Sequence, residues 1–280
     1  MFNTIGIITK PNDKKSKDTA KELSLFIEDQ GVGVVTDAQQ IAEQADLIIV
    51  VGGDGSLLNT ARNFVDKNIP ILGINLGRLG FLADVPVSNM FEIVAKVLDG
   101  EFTKEKRCLL NCQIEENNKV SSEFLAFNDV VLHRKETLRM IEFEVFIGDK
   151  FLSTQRADGI IVTTPTGSTA YALSSGGPIM HPGVNAIGIV SICPHTMSHR
   201  PLLIPSNEEV TIRVIDIIGP PTIAEESASL SFDGQTTISI ERGQKIRVQQ
   251  HSNFVHLLHP KNYDYYEIIR SKLHWSKKLL

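Results

Sequence analysis

The chain has 280 residues, 42% of them hydrophobic and 22% charged, which is long enough to bury a sizeable core and too apolar for disorder. A net charge of −5 argues against bulk nucleic-acid binding, which draws on a basic face. No window approaches the ~20 apolar residues of a membrane span, so no membrane partner is expected. Met1 to Lys10 enters a charged run without a secretory apolar stretch, and the expected location is the cytoplasm.

The first hundred residues alternate between apolar runs and helical periods. Thr4 to Thr9 is rich in β-branched residues, as expected of a buried parallel strand. Pro11 to Asp18 is polar, and its Lys14, Lys15 and Lys17 suit a solvated loop. Ala20, Leu23, Phe26 and Ile27 then recur at helical spacing up to Gly31, a C-cap candidate. Strands are expected at Val32 to Val35, Leu47 to Val51 and Ile71 to Ile74; Ile41 to Gln44 is too short to assign. Between the last two strands, Ser56 to Val65 reads as a helix with Ser56 as its N-cap. Phe91, Val94, Ala95 and Leu98 mark another helix, stopped by Gly100. This alternation predicts an α/β domain over 1–100 with a parallel, helix-covered sheet.

Beyond Gly100 the pattern changes to strand-like alternation, at Leu109 to Ile114, Glu123 to Leu132 and Ile141 to Ile147. Gly148-Asp149 suits a hairpin turn into Lys150 to Gln155. Further strands are expected at 159–163, 187–193, 209–215, 236–240, 245–249 and 254–258, with one short helix near 168–175. A mainly β, sandwich-like domain over 101–260 follows, with 261–280 as a tail that begins as a helix. Cys108, Cys112 and Cys193 are too few and too unevenly placed for a disulfide framework; the first two read as small buried hydrophobes. His195 and His199 lie four apart, but the prolines around them favour a structural loop over a metal site.

Four segments carry chemistry. Val51-Gly52-Gly53-Asp54-Gly55-Ser56 joins a strand to a helix, where glycines let a phosphate approach the backbone and the helix start favours anions. A carboxylate there either faces a hydroxyl or a metal ion, or simply caps the helix. Asn75-Leu76-Gly77-Arg78-Leu79-Gly80-Phe81-Leu82 follows another strand and could be a glycine-rich packing loop. In Phe127-Asn128-Asp129-Val130 a polar pair opens a hydrophobic strand; it suits a ribose diol, and equally a strand-starting turn. Thr164-Pro165-Thr166-Gly167-Ser168-Thr169-Ala170-Tyr171 presents four aliphatic hydroxyls before a helix, more than one N-cap requires.

The glycine loop lacks the GxxxxGK[ST] and GxGxxG spacings. It resembles the Gly-Gly-Asp-Gly motif shared by NAD kinases, diacylglycerol and sphingosine kinases and phosphofructokinases. The four segments in this order, with Ser174-Ser175-Gly176-Gly177-Pro178, Pro194-His195-Thr196 and Trp275-Ser276-Lys277-Lys278-Leu279, resemble bacterial NAD kinases over nearly the whole chain. The resemblance implies Asp54 as proton acceptor, with Gly53 and Gly55 beside it in the nucleotide site. It implies Asn128 and Asp129 on a ribose of NAD, Arg139 as a ligand contact, and Arg156 and Asp158 lining the site. Thr166, Thr169, Ala170, Tyr171 and Ser174 would bind the dinucleotide, with Gln235 as a further binding position. It also implies a C-terminal tail returning to the first domain, homodimers or homotetramers, and NAD sites completed across subunits.

The expected reaction transfers a phosphoryl group from ATP, or from polyphosphate, to the adenosine 2′-hydroxyl of NAD. A divalent ion, Mg²⁺, would be bound with the nucleotide rather than in a protein cage. The rival readings are a lipid kinase of the same superfamily and a non-catalytic NAD(H)-binding sensor.

Overall fold

The computed structural model describes residues 2–77, 80–117, 119–135, 140–196, 198–218 and 227–275. Arg139 lies outside the described residues, as do Arg78 and Leu79 of the second glycine-rich segment. The chain divides into two compact units, one reaching to Lys106 and resuming at Val255, the other running from Arg107 to Phe254.

In the first unit the elements are β1 (Thr4–Thr9), α1 (Lys14–Asp29), β2 (Gly33–Val35), α2 (Ala38–Gln44), β3 (Leu47–Gly52), α3 (Asp54–Phe64), β4 (Ile71–Asn75), β5 (Val85–Pro86), α4 (Met90–Leu98) and β6 (Phe102–Arg107). The second unit contributes β7 (Leu110–Glu116), β8 (Lys119–Ala126), β9 (Asp129–Arg134), β10 (Met140–Ile147), β11 (Lys150–Ala157) and β12 (Gly159–Thr163). A short 3-10 turn, Thr166–Thr169, and α5 (Tyr171–Ser174) follow. Then come β13 (Ala186–Ile192), β14 (Leu202–Pro205), β15 (Val210–Ile218), β16 (Ser227–Phe232), β17 (Thr236–Glu241) and β18 (Lys245–Gln250). Finally β19 (Val255–Pro260) and α6 (Tyr265–Lys272) belong to the first unit.

The first sheet runs β2-β1-β3-β4-β19-β6, with β5 beside β4. The pairs β1–β2, β1–β3, β3–β4, β4–β5 and β4–β19 are parallel. Every residue of β3 is buried, so both faces of this strand are covered. Leu47, Ile49 and Val51 join Ile5, Ile7, Leu23 and Ile27 in one core, each such side chain contributing about 1.5–3 kcal/mol on burial.

Several boundaries differ from the sequence reading. Helix α1 starts at Lys14, because Asp13 accepts a hydrogen bond from the Ser16 N–H at 2.7 Å. Lys14, Lys15 and Lys17 are therefore helical, and Lys15 Nζ donates to the Leu76 carbonyl at 2.9 Å. Asp37 caps α2 in the stretch that was too short to assign. Helix α3 begins at Asp54 with Gly53 as its N-cap, two residues ahead of Ser56. The strand expected at 254–258 joins the first sheet, with Leu257 opposite Ile71 and Leu258 opposite Leu72. Both leucines are buried, and alternation alone does not say which sheet a buried strand completes.

The second unit is two six-stranded sheets, β11-β10-β15-β18-β7-β8 and β14-β13-β12-β9-β16-β17. Their inward residues share one core, with Phe143, Val145, Ile212 and Val248 from the first and Val130, Leu132, Ile160 and Phe232 from the second. This is a β-sandwich. The expected strand over 123–132 is two strands in different sheets, broken at Phe127-Asn128. Strands β6, β14 and β16 also went unforeseen. Cys112 lies in the sandwich core with its thiol pushed up by burial; the half-buried Cys108 thiol is pushed up to about 11, chiefly by burial. Cys193 is exposed.

Candidate active site

In the first unit, the glycine loop sits at the carboxyl end of β3, where open α/β sheets bind ligands. Gly52 is needed for a close approach: a Cβ there would lie 2.6 Å from Ser56 Oγ. Ser56 is the third residue of α3 and donates its N–H to the Gly53 carbonyl at 3.0 Å, so it lies inside the first turn rather than at the cap. Asp54 occupies the first turn of α3, a favourable place for negative charge. Its carboxylate accepts three consecutive backbone N–H groups, Phe81 on Oδ2 at 2.8 Å, and Leu82 and Ala83 on Oδ1 at 3.1 and 3.0 Å. A Cβ on Gly80 would fall 1.9 Å from Asp54 Oδ1, so only glycine lets the turn close on the carboxylate. Asn75 braces the same turn, donating from Nδ2 to Ala83 O at 3.1 Å and accepting from Gly77 N at 2.8 Å. Two motifs that read as separate loops are thus one assembly.

In the second unit, Asn128, Asp129, Val131, His133, Ala170, Tyr171, Ser231, Asp233 and Gly234 line a cavity of about 330 Å³. The turn that carries Asn128 and Asp129 is held on both sides. The Asp233 carboxylate accepts from the N–H groups of Phe127, Asn128 and Asp129 at 3.0, 2.7 and 3.2 Å. Thr164 Oγ1 donates to the Phe127 carbonyl at 2.7 Å, and Thr164 N to the Asn128 carbonyl at 2.9 Å. Gly167 presses on the same peptide, since a Cβ there would meet Asn128 O at 2.1 Å. Asp129 is only 3% exposed. Burial first, and the charge of Asp233 second, push its carboxyl up to about 7.

The other expected residues divide by environment. Ala170 and Tyr171 line the cavity, and Tyr171 is 46% exposed. Three of the four hydroxyls expected to face a ligand point inward. Thr164 holds the Phe127 carbonyl; Ser168 Oγ donates to Pro165 O at 2.6 Å and accepts from Met180 N at 2.9 Å. Buried Thr166 accepts from Arg107 Nη1 at 3.3 Å, while half-buried Thr169 donates to Thr166 O at 3.3 Å. Ser174 is exposed at the end of α5. Arg156 is exposed and pairs with Glu142 at 3.3 Å; Asp158 pairs with Arg134 at 3.0 Å. Gln235 follows the tight turn of the β16–β17 hairpin, where Asp233 and Gly234 have φ of 54° and 64°. Sequence reasoning missed Asp233, His133 and Ser231 as cavity residues. Asp233-Gly234 is a turn sequence with nothing local to mark it further, and the three amide partners of Asp233 lie more than a hundred positions away.

A family model described as the ATP-NAD kinase N-terminal domain matches residues 36–102, and one described as the ATP-NAD kinase C-terminal domain matches 127–259. The chain is 44% identical to the NAD kinase of Hydrogenovibrio crunogenus over 297 aligned residues, covering all of both chains. It is 40% identical to the NAD kinase of Nitrosococcus oceani, over 99% of this chain and 98% of that one. Among solved structures it resembles yeast NADH kinase complexed with NADH, with a TM-score of 0.89 and 24% identity over 99% of this chain and 89% of that one. It also resembles an NAD kinase from Archaeoglobus fulgidus in complex with ATP, with a TM-score of 0.79 and 22% identity over 97% and 98%. These two likenesses establish the fold. The chain belongs to the NAD kinase family.

Gly80→Ala should force the Asp54 carboxylate off its amides and lower stability by about 1–3 kcal/mol, the usual range for overpacking. An unchanged urea midpoint would show that the turn closes some other way. For Asp129, the unfolded carboxyl ionises near ~3.9 and the folded one near 7. Between those values the folded state binds more protons, so stability falls as pH rises through that window. Asp129→Asn removes this cost. Its stability relative to the parent should improve by about 2–4 kcal/mol from pH 4 to pH 8, an order-of-magnitude figure. A difference independent of pH would mean that Asp129 titrates normally.

Proposed function

We infer that this protein is an NAD kinase that phosphorylates the 2′-hydroxyl of the adenosine ribose of NAD to give NADP, with ATP as donor. The observation that carries the reading is Asp54, a carboxylate in a glycine loop at the carboxyl end of a parallel strand and the first turn of a helix. Phosphoryl transfer asks for positioning and for charge stabilisation rather than covalent chemistry by the protein. In the proposed step the ribose oxygen attacks the γ-phosphorus, the bond to the β–γ bridging oxygen breaks, ADP departs, and the hydroxyl proton passes to Asp54.

The hydrogen bonding favours one oxygen for this role. A carboxylate oxygen offers about two acceptor positions. Oδ1 spends both, on Leu82 and Ala83, whereas Oδ2 takes only Phe81 among the described residues. Oδ2 therefore keeps a position for the incoming hydroxyl. The backbone of Gly53 and Gly55 at the start of α3 is proposed to cradle the donor phosphates. Asn128 and Asp129, at the mouth of a strand and lining the 330 Å³ cavity, are proposed to hold a ribose, with Ala170 and Tyr171 as cavity wall. Thr166 supports this wall from within, through its bond to Arg107. Thr169, Ser174, Arg156, Asp158 and Gln235 are proposed as outlying contacts, and the resemblance adds Arg139.

Among the described residues, no three His, Cys, Asp or Glu side chains gather as a metal site. Mg²⁺ is proposed to enter as part of the ATP substrate, where it would screen the phosphates. No helix among the described residues is long and apolar enough to cross a membrane. A cytoplasmic homodimer or homotetramer is the proposed setting, on the strength of the family resemblance.

The test is to incubate the purified protein with NAD, Mg²⁺ and either ATP or polyphosphate, and to measure NADP. Turnover is expected, with Asp54→Asn slower by about 10²–10⁴-fold, the typical contribution of a general base. Full kcat in Asp54→Asn would reduce Asp54 to a structural latch. NAD binding with no NADP from either donor would favour a sensor.

A further inference from the structure

His259, on β19, is 1% exposed, yet both of its ring nitrogens meet carboxylates. Nδ1 lies 2.9 Å from Asp84 Oδ2 and Nε2 lies 3.1 Å from Glu105 Oε2. An ionised carboxylate only accepts, so a ring bonded through both nitrogens donates from both and is positively charged. Burial alone would push His259 down. The hydrogen bonds of Asp84 and Glu105, and then their charges, overcome it and hold the group above its ordinary value. The Tyr263 ring stacks on the imidazole, with centroids 3.9 Å apart and planes 14° apart.

A buried ionic cluster is weak evidence of net stability, because desolvation offsets much of the attraction. What it orients is more informative. Asp84 directly follows Ala83, whose N–H is the last of the three amides on the Asp54 carboxylate. The 80–83 turn is tied on its inner side by Asn75, which donates to Ala83 O, and by Gly80 N on the same oxygen at 3.2 Å. Beyond it, Val85 pairs with Ile74 in the sheet. The Asp84 side chain ties this turn to β19 and β6, through His259.

We propose that His259 is a positioning residue for Asp54: by holding Asp84 against Glu105 it fixes the 81–83 amides, and through them the direction in which the Asp54 carboxylate points. The imidazolium never touches substrate. It sets the turn that sets the base. The inference rests on Asp54 as proton acceptor, and amide exchange reads the physical linkage even if Asp54→Asn shows that role to be wrong.

His259→Gln tests it, with kinetics and hydrogen exchange measured on the same folded, full-length protein. The expected result is a kcat lower by about 10- to 100-fold, as small misplacements of reacting groups can cost, with KM for NAD little changed. The amides of Phe81, Leu82 and Ala83 should exchange at least about tenfold faster, as a loosened local unit does. Unchanged kcat overturns the proposal, and so does a lower kcat with the three amides still protected. A rise in KM for NAD without loss of kcat also overturns it. Should His259→Gln fail to fold, Glu105→Gln is read by the same criteria. Glu105 is 22% exposed, and a neutral amide oxygen can still accept from Nε2 while withdrawing the charge.

Discussion

A carboxylate closing on three consecutive backbone amides is the interaction on which both functional segments depend. Asp54 does this to Phe81, Leu82 and Ala83, and Asp233 does it to Phe127, Asn128 and Asp129. Hydrogen bonds to an ionised acceptor contribute about 1.5–3 kcal/mol each, roughly twice a neutral pair. These bonds help hold each turn in one conformation against the entropy of ordering it. In both cases the aspartate is followed by glycine, and in both the clamped turn lies far away in sequence.

The two clamps have different chemical consequences. At Asp233 the charge is spent on structure, and its field reaches Asp129, which burial already disfavours as an anion. The result is a buried carboxyl poised near neutrality in a cavity, the kind of perturbation that marks ligand sites. At Asp54, Oδ2 takes only the Phe81 amide among the described residues, so the group orders a turn and keeps an acceptor position for the proposed proton transfer. The hydroxyl-rich segment 164–169 fits this division. Its buried hydroxyls satisfy carbonyls of the 127–128 turn and of its own backbone, and so build the cavity wall rather than decorate it.

Much of this was legible in the sequence, and what was hidden has definite causes. The run Leu47 to Val51 announced a strand buried on both faces, and the glycines after it announced the loop. The start of α3 was misplaced because Ser56 is a good capping residue, whereas the cap is Gly53, which caps with no side chain and leaves Asp54 free to reach the 81–83 amides. Residues 123–132 read as one strand because apolar residues flank the polar Asn128-Asp129 pair on both sides, and a local pattern does not show that the chain changes sheets at Phe127-Asn128. Strand β19 could not be assigned to its sheet, since a parallel partner is chosen by topology. Asp233 and Gly80 escaped notice as site residues for a shared reason. Asp233 holds distant backbone and Gly80 makes room for a distant carboxylate, and a local pattern carries no trace of either contact.

The central claim is that Asp54 serves the chemistry while dinucleotide binding belongs to the Asn128–Asp129 cavity. Calorimetry of NAD binding to Asp54→Asn tests it most directly. The amide substitution keeps the size of the side chain and one carbonyl oxygen to accept from the 81–83 turn. The account predicts an NAD affinity within a few-fold of the parent in a variant that has lost turnover, a difference of roughly 1 kcal/mol or less. Loss of NAD binding in a normally folded Asp54→Asn protein would contradict it, and would make the carboxylate part of the dinucleotide site itself.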